Sequence, residues 1–117
     1  MRTGLIVAFV FAAGAVALAD GGLKNLQVLP KTMTKDEIKP IMRAQAKALG
    51  VECDFCHDVP DMASDKMESK KIARQMMKMT AEINDKWLKG IKDADKNKVT
   101  CGTCHGGKEH PPAFVPK

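Results

Sequence analysis

Cys53-Asp54-Phe55-Cys56-His57 and Cys101-Gly102-Thr103-Cys104-His105 each set two thiols three positions apart, with an imidazole directly after the second. C-x-x-C-H is the pattern of covalent c-type haem attachment. Each thiol can add to one vinyl group of a single porphyrin. The histidine that follows is then held beneath the ring, where an imidazole nitrogen can bind iron. The two copies use all four cysteines and two of the three histidines. Two covalently attached haem c groups are therefore expected, one on Cys53 and Cys56 and one on Cys101 and Cys104, with His57 and His105 as iron ligands.

Each iron has a further axial position, and counting narrows the choice. Bis-histidine ligation at both sites needs a histidine more than the chain holds, so at least one site must use another ligand or stay five-coordinate. Beyond the initiator the chain has Met33, Met42, Met62, Met67, Met76, Met77 and Met79. Methionine is the alternative axial ligand of electron-carrying cytochromes c, and it raises the reduction potential. Met42 stands on the apolar stripe of a predicted helix that leads straight into Cys53. For the second site Met76 and Met79 share one helix face, with Met77 turned about 100° away, and periodicity leaves those two open. His110 follows His105 too closely to cross to the opposite face of a ring.

The elements that must position these groups are helical. Thr34-Lys35-Asp36-Glu37 is a T-x-x-E capping box. It predicts a helix to Leu49 that stops at Gly50, with Ile38, Met42, Ala46 and Leu49 as one stripe. Pro40 falls inside it, which predicts a loose first turn or a later start. Asp65 and Glu68 are a second possible cap, ahead of a helix running to about Leu88 and ending at Gly90. Its stripe is Ile72, Met76, Met79, Ile83 and Trp87, with Trp87 expected in the core. The segment from Asp20 to Lys31 reads as an irregular lead-in whose Leu23, Leu26, Val28 and Leu29 pack on something. Gly106, Gly107 and three prolines predict an irregular tail. No strand pattern competes. The expected fold is mostly α, two helix–turn–C-x-x-C-H units packed around the haems, with little or no β.

Composition bounds the rest. Arg2, an apolar run from Leu5 to Leu18 and an Ala17-Leu18-Ala19 site describe a secretory signal peptide over 1–19. The run, about 15 residues, is short of the roughly 20 that span a bilayer. Residues 20–117 then form one small domain, periplasmic or extracellular. A net charge of +5 is spread over lysines interleaved with acids, and there is no tyrosine. Two haems would add four propionates. Nucleic-acid binding is not expected. Four phenylalanines, two of them in the leader, leave little aromatic core, which a pair of porphyrins would supply. Zinc is not expected either. Paired C-x-x-C zinc ligands lie roughly 15–20 residues apart, and the interval from Cys56 to Cys101 is more than twice that. Arg43 and Arg74 are candidates to pair with propionates.

Three runs of sequence resemble the tetrahaem cytochrome subunit of photosynthetic reaction centres: Leu49-Gly50-Val51-Glu52-Cys53-Asp54-Phe55-Cys56-His57, the run Ala73 to Trp87 with its A-R-x-M-x-x-M-T core, and Val99-Thr100-Cys101-Gly102-Thr103-Cys104-His105. Pro111-Pro112 agrees with the family's ending, and the likeness spans about residues 35–112. It implies a dihaem, half-size relative of a subunit that is itself two dihaem halves. It also implies an axial methionine on the helix ahead of each attachment site, which falls on Met42 and on Met76 rather than Met79. The chain departs from the pattern in having two haem sites instead of four. Gly106 stands where an arginine often follows, and the loop before Val99 carries no histidine.

The function implied is electron transfer between redox protein partners, with no catalysis, since two six-coordinate irons leave no open site. Two alternatives stand beside it. One is a small haem enzyme or gas-binding protein with one open iron, which carbon monoxide binding would reveal. The other is self-association into a polymeric cytochrome assembly.

Overall fold

The computed structural model describes residues 21–96 and 98–113, so the signal segment expected over 1–19 lies outside the described residues. Three α-helices appear in order: α1 (Lys35–Leu49), α2 (Glu68–Glu82) and α3 (Cys101–His105). Short 3-10 turns cover Cys53–Phe55 and Ala94–Lys96, and a π-helical turn, Ile83–Trp87, prolongs α2. Among the described residues there is no strand, only an isolated bridge between Asp58 and Asp61. The mostly-α expectation holds.

The start of α1 is fixed locally. The Thr34 backbone N–H donates to Glu37 Oε2 at 2.8 Å, and the Glu37 N–H donates to the Thr34 hydroxyl at 3.4 Å. The Thr34 backbone and then its hydroxyl hold the Glu37 carboxyl below the usual carboxylate range. At the far end Gly50 is left-handed (φ 68°), and the Val51 N–H returns to the Ala46 carbonyl at 3.0 Å. Pro40 lies inside the helix without delaying its start. Its missing N–H would have met Asp36, in a first turn already held by the capping box.

The second helix departs from expectation in three ways. Asp65 is not its cap, since the N-cap is Met67, which makes no side-chain cap bond. The Asp65 Oδ1 is instead met by Arg74 at 2.7 Å and by the Asn25 amide at 2.9 Å. These contacts, the Asn25 bond foremost and then Arg74 and Lys70, hold its carboxyl low. Second, the polypeptide packs on Lys70, Ala73, Arg74, Met77, Thr80 and Asn84, while Ile72, Met76 and Met79 are exposed. Third, the helix loosens at its end. The Leu88 N–H reaches back five residues to Ile83 at 2.9 Å, and Trp87 is 62 % exposed beneath the Lys86 ammonium, 5.0 Å from the ring centre. Trp87 is therefore not buried by the polypeptide itself. A widened turn shifts it off the helix register, and the lysine covers its face.

Leu23, Leu26, Val28 and Leu29 of the lead-in are half-buried, as expected. Arg74 ties this segment to α2 by donating to the Asn25 carbonyl at 3.2 Å, so its guanidinium is committed to protein groups, whereas Arg43 is exposed. No apolar side chain among the described residues is fully buried, and the one buried residue is Lys70. No helix among them is long and apolar enough to cross a membrane.

Candidate cofactor-binding site

The first attachment motif enters directly from the Gly50 stop of α1 and turns once as a 3-10 helix. The start of α2 closes over it. The Ser69 hydroxyl donates to the Phe55 carbonyl, and Cys56 is half-buried beside it. Burial pushes the Cys56 thiol up, partly opposed by a hydrogen bond with Ser69. No disulfide joins any of the four cysteines, and Cys53 and Cys104 are exposed.

The second motif is itself a helix. Thr103 accepts from the Thr100 N–H at 2.9 Å across its first turn, and Gly106 ends it in the left-handed conformation. Asn84, in the π-helical turn that prolongs α2, grips the backbone just ahead of it. Its amide donates to the Val99 carbonyl and its oxygen accepts from the Val99 N–H, both at 2.8 Å. Ser69 and Asn84 thus bind the two motifs to opposite ends of one helix, about 22 Å apart at 1.5 Å per residue. Behind the second motif the Gly107 N–H donates to the Ala48 carbonyl at 2.8 Å, seating α3 against the end of α1.

The histidines are arranged alike. His57 Nδ1 lies 2.9 Å from the Met62 carbonyl, and His105 Nδ1 lies 3.0 Å from the Lys108 carbonyl. A carbonyl can only accept, so Nδ1 carries the proton in each ring and Nε2 keeps a lone pair for a metal. Iron-ligating histidines are oriented by this kind of outer hydrogen bond. Among the described residues no three His, Cys, Asp or Glu side chains converge as a metal-holding cluster, so each histidine offers a single nitrogen.

Met42 is half-buried on α1, in the stripe with Ile38, Ala46 and Leu49, on a helix that rests on α3. Met76 (42 % exposed) and Met79 (47 %) stand together on the uncovered face of α2. Pairs of thiols, a single free imidazole nitrogen beside each pair, and apolar methionine-bearing helix faces together fit a flat, largely hydrophobic iron macrocycle. They fit poorly with a compact hydrated ion. His110 lies on the surface against Glu109 at 3.4 Å. Ser69, Lys70, Asn84 and Thr103 were not singled out from the sequence. The signal for Lys70 and Asn84 was a second helical face of α2, Lys70-Ala73-Met77-Thr80-Asn84, masked by its polar ends.

Residues 8–115 match the family described as photosynthetic reaction centre cytochrome C subunit. The photosynthetic reaction center cytochrome c subunit of Roseobacter denitrificans is 33 % identical over 107 residues, covering 87 % of this chain and 28 % of that protein. Cytochrome c-554 of Chloroflexus aurantiacus is 36 % identical over 82 residues, covering 69 % of this chain and 20 % of that protein. The subunit from Thermochromatium tepidum is 30 % identical over 90 residues, 75 % of this chain and 21 % of its own. The chain thus spans less than a third of the length of the curated relatives it matches.

Proposed function

Because the chain belongs to the photosynthetic reaction centre cytochrome c subunit family, and is thus a c-type cytochrome of electron transfer carrying covalently bound haem c, we propose that it is a dihaem carrier. It shuttles electrons between redox proteins outside the cytoplasm. Cys53 and Cys56 anchor one haem and Cys101 and Cys104 the other. His57 and His105 present Nε2 to the two irons, and Met42 and Met76 supply the opposite axial sulfurs. Residues 1–19 direct export and 20–117 form the carrier domain.

The observation that carries this reading is the matched pair of histidines. Each Nδ1 is tied to a carbonyl downstream of its own C-x-x-C-H, so that both Nε2 atoms are available in the same tautomer. When bound, each haem supplies a reversible one-electron iron couple. The chain's own part is to hold the rings, fix the imidazoles and keep water from the apolar faces of α1 and α2. A thioether from Met42 and from Met76 would leave no open position on either iron for a substrate, so the proposed function is transport of charge and not catalysis. The names of the relatives make a reaction-centre-like complex one candidate partner, alongside other redox proteins and further copies of the chain.

Mass spectrometry and carbon monoxide test the reading together. The exported protein should weigh the processed chain plus two haems, and the reduced form should show no spectral shift under carbon monoxide. A mass equal to bare chain overturns it. Uptake of one carbon monoxide per protein would show an open iron and favour the enzyme or gas-binding alternative.

A further inference from the structure

Lys70 is the single buried residue among those described, at 9 % exposure, and its ammonium is not spent on a simple ion pair. Nζ donates to the Ser64 carbonyl at 2.7 Å and to the Met62 carbonyl at 2.9 Å. The Met62 carbonyl is the one that orients His57. The nearest carboxylate, Asp65 Oδ1, is 3.5 Å from Nζ, and the same oxygen is held closer by Arg74 at 2.7 Å. Two cations thus share one carboxylate, and a buried ammonium sits on the carbonyl that orients His57. The second site has no counterpart: no second donor among the described residues meets the Lys108 carbonyl that orients His105.

Resting on the dihaem reading above, we propose that Lys70 is a positioning residue that raises the reduction potential of the iron held by His57, through the carbonyl the two side chains share. A cation on that carbonyl draws density from it, so it accepts more weakly from the imidazole Nδ1–H. The ring keeps its proton more firmly and donates less to the metal, which disfavours the oxidised state. The buried charge itself opposes the extra positive charge of oxidised iron. Both effects act in the same direction, and outer hydrogen bonds and local charge are established levers on metal potentials. The two haems are then inequivalent by construction, despite matching attachment motifs.

The test is a spectroelectrochemical titration of the holoprotein, with two thioether-linked haems first verified by mass. Lys70→Gln keeps a neutral donor and should lower one of the two one-electron waves by about a tenfold change in the oxidised-to-reduced ratio, about 59 mV. The other wave stays in place. Proton contacts to the ring of Phe55, which is tethered between Cys53 and Cys56, assign the wave that moves. Lys70→Arg should hold the wave, and Lys78→Gln, the same charge change at an exposed site on the same helix, should move neither. No shift in Lys70→Gln, an upward shift, or equal shifts of both waves overturns the proposal. The unaltered reduced protein gives a second check should Lys70→Gln not fold. The His57 Nδ1 proton should resonate upfield of the His105 one, as a weaker hydrogen bond requires, and the reverse order overturns the proposal. Unmodified protein lacking haem sinks the dihaem reading itself, whereas two intact haems with unmoved waves sink only the assignment to Lys70.

Discussion

A methionine thioether and a leucine side chain fill similar volumes, so exchanging one for the other removes a ligand while largely preserving the packing. That property separates Met76 from Met79, which share the uncovered face of α2 and differ little in exposure. The Thr80 hydroxyl donates to the Met76 carbonyl at 2.8 Å and pins the backbone at that position. Met76→Leu is expected to remove about half of the thioether-to-iron charge-transfer absorption of the oxidised protein and to open one iron to carbon monoxide. Met42→Leu should remove the other half. Met79→Leu should leave the band whole and cost less than about 1.5 kcal/mol of stability, as a volume-conserving exchange does. Loss of the band in Met79→Leu with retention in Met76→Leu would reverse the assignment.

Helices α1 and α3 end where the backbone turns left-handed, and the two ends differ in a way that can be measured. Gly50 and Gly106 both have positive φ, 68° and 56°. A Cβ on Gly106 would meet nothing within 4 Å, whereas one on Gly50 would drive into the Gly107 carbonyl oxygen. Gly106→Ala should therefore cost only the left-handed penalty, about 1–2 kcal/mol. Gly50→Ala adds a backbone collision at the joint between α1 and α3, for about 2–4 kcal/mol in all. Denaturant unfolding of the two holoproteins, followed by helical circular dichroism, compares them directly. Equal losses would mean that the joint yields freely. Signals of this local kind were legible in sequence: Thr34 with Glu37 and Gly50 bound α1 as they stand, because capping involves residues within one turn. The working face of α2 was not. Two different sets of positions satisfy a 3.6-residue period there, and which set meets polypeptide depends on Ser69 reaching Phe55 and Asn84 reaching Val99. Asp65 misled for the same reason, since its partners are Asn25, 40 residues back, and Arg74, nine residues on, both outside any capping pattern.

At the scale of the whole molecule, the polypeptide lacks the interior that would hold it together unaided. Ordering each residue costs about 1–2 kcal/mol of backbone entropy. Apolar burial repays that at about 25 cal/mol per Å². Among the described residues no apolar side chain is fully buried, while Ile72, Met76, Met79 and Trp87 turn large surfaces outward. Hydrogen bonds at Ser69, Asn84 and Gly107 join α1, α2 and the two motifs into a closed frame, but each is worth only about 1 kcal/mol net. A porphyrin on each cysteine pair would cover the outward stripe and bridge the frame from inside, so cofactor attachment and folding are expected to be one event. A chain with Cys53, Cys56, Cys101 and Cys104 all replaced by Ala should show weak helicity and no cooperative thermal transition. The haem-loaded protein should melt in a single step. Replacing Cys101 and Cys104 alone should weaken α1 as well as the second site, because the end of α1 rests on α3 through Ala48 and Gly107. Cooperative melting of the cysteine-free chain would show that the two helices and their clamps suffice by themselves, and would separate the stability of this fold from its cofactors.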